Sequence, residues 1–200
     1  MINLALKVPR QVYVACSGGV DSMAAVSFLL KGKRDVELLF FNHNTPTSNI
    51  AEEFLSKWSK DNGLNLHLGH IGAGDIEKGR SQEDYWREKR YSFFGKFTDR
   101  NIVTCHHLND QMEQWLMTSV KGNPRLIPHT NGNIIRPFVL TPKDELVNWA
   151  KRNSVPWVED MSNLDTKYQR NFTRHILMPQ VLALNSGFEK TIRKKVLEMI

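Results

Sequence analysis

Short apolar runs alternate with amphipathic stretches along this chain, and the alternation predicts its elements. Residues 12–16 (Val-Tyr-Val-Ala-Cys) and 36–41 (Val-Glu-Leu-Leu-Phe-Phe) read as strands. The second is almost wholly apolar, as suits a parallel strand covered on both faces. Met23 to Leu30 follow the first strand as a helix. Ile50, Phe54, Leu55 and Trp58 recur at helical spacing over 49–61, and Gly63 stops that helix. Residues 64–68 alternate and give a third strand, while 101–105 give a fourth. Further helices are expected over 82–97 and 110–120, and from Thr141 as N-cap, with Pro142 in the first helical position, to 152. The last two span 167–184 and 189–199.

This order predicts an α/β fold: a doubly wound, mainly parallel sheet with helices on both faces, plus C-terminal helices. Such sheets bind ligands beyond the carboxyl ends of their strands. Three polar segments fall there, at 17–22, 42–44 and 106–113. One boundary is expected, within 122–133. It divides an α/β core, 1–135, from a basic helical extension, 136–200, packed on that core.

Composition narrows the setting. The apolar and charged fractions, 40% and 24% of 200 residues, suit an ordinary globular chain. No apolar stretch reaches membrane-spanning length, and Asn3, Lys7, Pro9 and Arg10 interrupt the start where a signal peptide needs an apolar run. Cys16 and Cys105 each close a strand and are expected as small buried hydrophobes, not as a disulfide or metal pair. The expectation is a cytoplasmic protein with no membrane partner. Its net charge of +6 is uneven: residues 167–200 hold seven basic side chains against only Glu189 and Glu198. A basic segment on a nearly neutral body points to a polyanion, although a solvated helix face has the same composition.

The clearest chemistry lies in Ser17-Gly18-Gly19-Val20-Asp21-Ser22, between the first strand and first helix. Two glycines let the backbone turn its N–H groups toward an anion, and the following helix aims its positive end at the same place. Ser17 and Ser22 add hydroxyls. Asp21 repels phosphate oxygens unless a cation bridges them, which makes it a Mg²⁺ holder or an orienting group. Read plainly, Asp21 and Ser22 are only helix caps. Residues 74–81 mimic Walker A spacing with Arg80 in place of lysine, and read as a connector. His67 and His70 lack partners at metal-ligand spacing. Asp110 and Glu113 share one face of a helix and repel unless a cation or a proton lies between them. Arg170 and Arg174, also on one face, can clamp phosphates or pair with Glu159, Asp160 or Asp165.

The glycine loop resembles the signature of the N-type ATP pyrophosphatases, or PP-loop proteins, and lacks the lysine of a Walker A loop. Further blocks follow in order: Asn42-His43, Glu88 to Tyr91, and His106-His107-x-x-Asp110-x-x-Glu113. Then come Arg136-Pro137, Glu159-Asp160-x-Ser162-Asn163-x-Asp165, and Arg170-Asn171-x-x-Arg174-His175 ending at Pro179. Together they resemble the N-terminal catalytic domain of the tRNA(Ile)-lysidine synthetases, over roughly residues 10–182. The resemblance implies an adenine nucleotide alpha hydrolase-like fold and an ATP-dependent ligase. In that family the O2 of a wobble cytidine attacks the α-phosphorus of ATP, pyrophosphate leaves, and free lysine then displaces AMP.

The resemblance also implies roles. Ser17, Gly18, Gly19, Val20, Asp21 and Ser22 would bind ATP, with Asp21 on Mg²⁺, and Asn42, His43 and His107 would line the nucleotide site. Asp21, His106, Asp110, Glu113, Arg170 and Arg174 would be catalytic, Asp110 and Glu113 receiving the lysine ammonium. A tRNA would meet Arg174, His175, Arg193, Lys194 and Lys195. Holding an anticodon loop with so little protein calls for a homodimer or a helper. The chain departs from the family pattern at Asn109, where an acid is usual, at Gln114, at Asn44-Thr45-Pro46 and over 122–128. It also does not reach the C-terminal tRNA-binding domains of longer members. A tRNA thiolase of the same superfamily is an alternative, weakened by the lack of a Cys-x-x-Cys pair. A nucleotide- or RNA-binding module without turnover is another.

Overall fold

Val12 and Val14 point to one side of the sheet and Tyr13 to the other, and all three are buried, because helices cover both faces. The computed structural model describes residues 1–72, 81–159 and 165–200. Among these, β1 (Gln11–Ala15), α1 (Val20–Lys31), β2 (Asp35–Asn42), α2 (Pro46–Asp61) and β3 (Leu66–His70) lead to α3 (Gln82–Phe94), β4 (Asn101–Val103) and α4 (Leu108–Ser119). A hairpin of β5 (Thr130–Asn131) and β6 (Ile134–Ile135) precedes α5 (Lys143–Arg152). Then come α6 (Gln169–Phe172), a π-helical stretch (Thr173–Leu177), α7 (Met178–Leu184) and α8 (Phe188–Leu197).

One six-stranded sheet has the order β3-β2-β1-β4-β6-β5. Every neighbouring pair is parallel except β5 with β6. The expected doubly wound, mainly parallel α/β architecture is therefore the observed one. Chain direction across the sheet reverses between β1 and β4, and the loops leaving these two strands flank the crevice that such a reversal opens. On one face Val12, Val14, Met23, Val26, Leu38 and Leu55 pack with Phe138, Leu146 and Ala150, so α5 closes over α1 within a single apolar cluster. Opposite, Tyr13, Leu39, Phe41, Phe93, Phe94 and Ile102 form a second. A third, with Leu108, Met112, Met178, Ile192 and Val196, fastens α7 and α8 to α4.

Several element limits differ from the sequence expectation, each for a local reason. Helix α2 begins at Pro46, earlier than its apolar spacing indicates, because Thr45 and Ser48 cap each other reciprocally. Strand β3 runs two residues further than the alternation of 64–68 implies, since Leu66 pairs in register with Leu38 and pairing continues to His70. Thr141 does not cap α5. Its hydroxyl donates to the Asn3 carbonyl at 2.7 Å and accepts the Asn3 N–H at 3.1 Å, which leaves Pro142 as the cap. The expected boundary over 122–133 holds the start of the β5–β6 hairpin, whose two-residue strands are too short to show a period. A single helix over 167–184 is replaced by α6, the π-helical stretch and α7. Residues 74–80 of the Walker-like decoy and 160–164 of the acidic block lie outside the described residues. No helix among the described residues is long and apolar enough to cross a membrane.

Gly69 shows how tightly α3 sits on the sheet. A Cβ at this position would lie 2.6 Å from Cδ2 of Phe93 and 2.8 Å from Cδ2 of Phe41. Gly69→Ala is expected to lower stability by about 1–3 kcal/mol, from overpacking between two rings. Urea unfolding followed by tryptophan fluorescence checks this; an unchanged midpoint contradicts the packing.

Candidate active site at the strand ends

The phosphate-loop sequence folds as a tight turn leading into α1. Gly18 takes φ +79°, which glycine adopts without cost. Its carbonyl accepts the Val158 N–H at 2.9 Å, and a Cβ there would press on Ala51 at 3.4 Å. Gly19 is the N-cap of α1, and no side chain caps the helix. Capping by Asp21 or Ser22 is thereby ruled out, and the first-turn amides carry no side-chain partner. The Ser22 hydroxyl turns inward: it donates to the Gly19 carbonyl at 2.9 Å and accepts the Ser17 N–H at 3.2 Å. Ser22 thus shapes the loop, while Ser17 is exposed at its rim.

Asp21 faces the loop that leaves β4. Its Oδ2 lies 3.5 Å from Nε2 of His107 and 3.8 Å from Nζ of Lys143, and its buried Oδ1 has no partner. His107 is the N-cap of α4: its Nδ1 accepts the Asp110 N–H, and the Asp110 carboxylate accepts the His107 N–H at 2.9 Å. With Nδ1 so used, neutral His107 carries its proton on Nε2, toward Asp21. Burial opposes charging of this imidazole, but the Asp110 and Asp21 carboxylates outweigh it and raise its pKa. Burial likewise opposes ionised Asp110, yet His107, Arg170 and His106 hold its pKa at about 2.

Deeper along α4, Glu113 is only 2% exposed and lies between two guanidiniums. Nε of Arg170 reaches Oε2 at 2.8 Å, Nε of Arg174 reaches Oε1 at 2.7 Å, and Nη2 of Arg170 lies 3.0 Å from Asp110 Oδ1. The two paired motifs of the sequence therefore meet. The acids on α4 are the partners of the arginines on the C-terminal segment, in preference to Glu159 or Asp165. A like-charge pair three residues apart becomes a neutral four-membered cluster.

The remaining expected residues divide. His106 bonds Thr104 Oγ1 through Nδ1 at 2.9 Å, and burial lowers its pKa to about 4. His43 stacks on Trp86 with ring centroids 5.0 Å apart, and burial followed by repulsion from Arg90 brings its pKa to about 4. Asn42 is consumed locally: its amide donates to Asn49 and Glu52 while its oxygen accepts from Asn44 and Ser48, so it shapes the β2–α2 turn. Arg193 donates to the Leu140 carbonyl and pairs with Glu189, and Lys195 lies 4.9 Å over the Trp115 ring. Both have work within the fold. Lys194 and His175 are exposed side chains.

Sequence reading gave no role to three cations. Lys143 stands at the mouth of the phosphate loop, a juxtaposition set by the fold across residues far apart in sequence. Arg136 is buried, donating to the Pro128 carbonyl at 2.8 Å and to the Tyr91 hydroxyl. Arg90, on α3, is desolvated and repelled by Arg87 and Arg170, which lowers its pKa. Motif order contained Arg90 and Arg136, but nothing in the spacing revealed where their charges point. Cys16 and Cys105 are free thiols whose pKa values burial raises, in keeping with packing roles.

An uncapped helix end behind a glycine turn, at the strand-order reversal of a parallel sheet, is the arrangement of the nucleotide-phosphate-binding class of α/β proteins. The chain belongs to the PP-loop domain family, whose model matches residues 2–181. Curated relatives include the tRNA(Ile)-lysidine synthase of Exiguobacterium sibiricum, 29% identical over 94% of this chain and 48% of that protein. That of Buchnera aphidicola is 33% identical over 85% and 42%, respectively. The chain thus spans about half the length of the curated relatives it matches. Among solved structures, the U34-tRNA thiolase NcsA from Methanococcus maripaludis superposes with a TM-score of 0.71 at 15% identity, covering 98% of this chain and 75% of that one. An NH3-dependent NAD synthetase from Campylobacter jejuni gives 0.51 at 13%, covering 98% and 87%. These two likenesses concern the fold alone.

Two partly buried histidines set a pH dependence. His43 and His106 hold protons less readily folded, at about 4, than at the ordinary value near 6.5. Between those values the unfolded chain binds more protons, so stability falls as pH drops from about 6.5 toward 4. His107 contributes with the opposite sign, losing its contribution as pH rises through its raised pKa. Urea midpoints across this window should decline toward acid, with a shallower decline in His106→Gln; a flat profile contradicts the assignment.

Proposed function

We propose that the chain is the catalytic portion of an ATP-dependent tRNA-modifying ligase of the lysidine synthetase type. The observation that carries this reading is one crevice holding both an uncapped glycine-turn cradle and the Asp110–Glu113–Arg170–Arg174 cluster. Relatives named tRNA(Ile)-lysidine synthase support it across most of the chain. In this reading the amides of Gly18, Gly19 and the first turn of α1 hold the phosphates of ATP. The cytidine O2 attacks the α-phosphorus, forming the O–P bond as the bond to pyrophosphate breaks. Lysine nitrogen then forms a bond to C2, releases AMP together with O2, and sheds its proton. Magnesium fits Asp21, whose buried Oδ1 is unpartnered; bound there, it would screen phosphate charge.

The ion-pair cluster orders the substrates. Two carboxylates already face two guanidiniums, so an ammonium alone would add an unbalanced charge to a poorly hydrated place. Once the arginines turn toward phosphate, the carboxylates are released to an amine. ATP therefore binds before lysine, and Glu113 is the lysine-side acid. A thiolation reading has only the fold likeness behind it, and both thiols of this chain are held protonated by burial. Homodimer formation and tRNA contact through Lys194 and His175 belong to the same proposal. Sedimentation of the free chain and tRNA filter binding check them.

Mass spectrometry of nucleosides from tRNA incubated with the chain, ATP and lysine tests the reaction directly. Lysidine is the expected product; pyrophosphate release without it removes lysine transfer, and no pyrophosphate leaves a binding module. Asp21→Ala should abolish pyrophosphate release with the thermal transition retained. Glu113→Gln should raise the KM for lysine about tenfold or more while changing that for ATP little, as expected for one charge-assisted contact. An equal loss for both substrates assigns Glu113 to structure alone.

A further inference from the structure

The glycine turn of this chain, Ser17 to Ser22, holds no lysine, yet a leaving pyrophosphate develops negative charge that a nearby cation must meet. We propose that Lys143 supplies that cation and that Asn109 positions it, an inference that rests on the nucleotide reading above. Lys143 is the first residue of α5, and its Nζ lies 3.8 Å from Asp21 Oδ2 at the mouth of the phosphate loop. That spacing is a loose ion pair. The side chain is 32% exposed, so the ammonium is placed at the crevice without being locked to the carboxylate.

The backbone beneath it is held firmly. Asn109 Oδ1 accepts the Lys143 N–H at 2.8 Å, and the Leu108 N–H donates to the Thr141 carbonyl at 2.9 Å. These two bonds tie the start of α4 to the start of α5, while Leu146 and Ala150 pack α5 against α1. Three helix N-termini therefore converge at one edge with the lysine among them. Asn109, a departure from the family pattern, does a task here that needs an acceptor and not a charge: its amide oxygen takes the first N–H of α5. As the bond from the α-phosphorus to the bridging oxygen breaks, the electron pair stays on the pyrophosphate oxygen. The Lys143 ammonium stabilises that charge with no proton transfer required.

Calorimetry with magnesium pyrophosphate, magnesium ATP and AMP, together with pyrophosphate-exchange kinetics, tests the assignment. Lys143→Ala should weaken pyrophosphate and ATP binding by about 10- to 100-fold, as for one charge-assisted contact, and leave AMP binding unchanged. Lys143→Arg should recover part of the loss. Asn109→Ala should show the same pyrophosphate-selective defect, and Asn109→Asp, which keeps an acceptor for the Lys143 N–H, should restore it. Wild-type pyrophosphate affinity in Lys143→Ala overturns the inference, as does an equal loss of AMP, which would mean a general disturbance of the site. If the unaltered chain binds neither AMP nor ATP, the nucleotide reading falls and this inference falls with it.

Discussion

The structure depends on the burial of one carboxylate. Glu113 lies almost wholly out of water on α4, three residues from Asp110, and such a pair on a lone helix would repel itself or take up a proton. Arg170 and Arg174 remove the difficulty by meeting both acids. The segment carrying these arginines is thereby fixed over the crevice by charge as well as by the apolar contacts of Met178 with α4. Desolvated ion pairs contribute little net stability over an apolar substitute. Their value here lies in specifying where the C-terminal helices dock and in holding guanidiniums beside a phosphate loop.

The same arrangement links the two ends of the crevice. Asp110 bonds to the His107 backbone and pairs with Arg170, and His107 in turn reaches Asp21. A continuous polar path therefore runs from the glycine turn to Glu113 through a single helix cap. Burial alone would leave His107 neutral, as it does His106. The difference between these adjacent histidines arises from the charges around each ring: Asp110 and Asp21 both favour charging of His107, whereas for His106 the pull of Asp110 is opposed by Arg136, Arg170 and Arg90.

Much of the fold was legible because its strands are short, apolar and separated by helical spacing. The three polar segments at strand ends do gather at one edge, as parallel topology requires. What remained hidden was set by contacts remote in sequence. Thr141 looked like a cap until its hydroxyl found Asn3, and residues 130–135 carried too few positions to display a strand period. Asp110 and Glu113 were readable as acids in need of a cation, and Arg170 and Arg174 as guanidiniums in need of an anion, but neither spacing revealed that each pair answers the other. Lys143 escaped notice because a lone lysine at a helix start has no pattern to betray it.

The opening residues carry a consequence of their own. Ala5 donates its N–H to the Pro137 carbonyl, Asn3 makes both bonds to Thr141, and the Met1 amine meets Glu145 at 2.6 Å. They form a strap laid along the entry to α5, two residues before Lys143. The seating of that helix therefore depends on a segment that touches no motif at all.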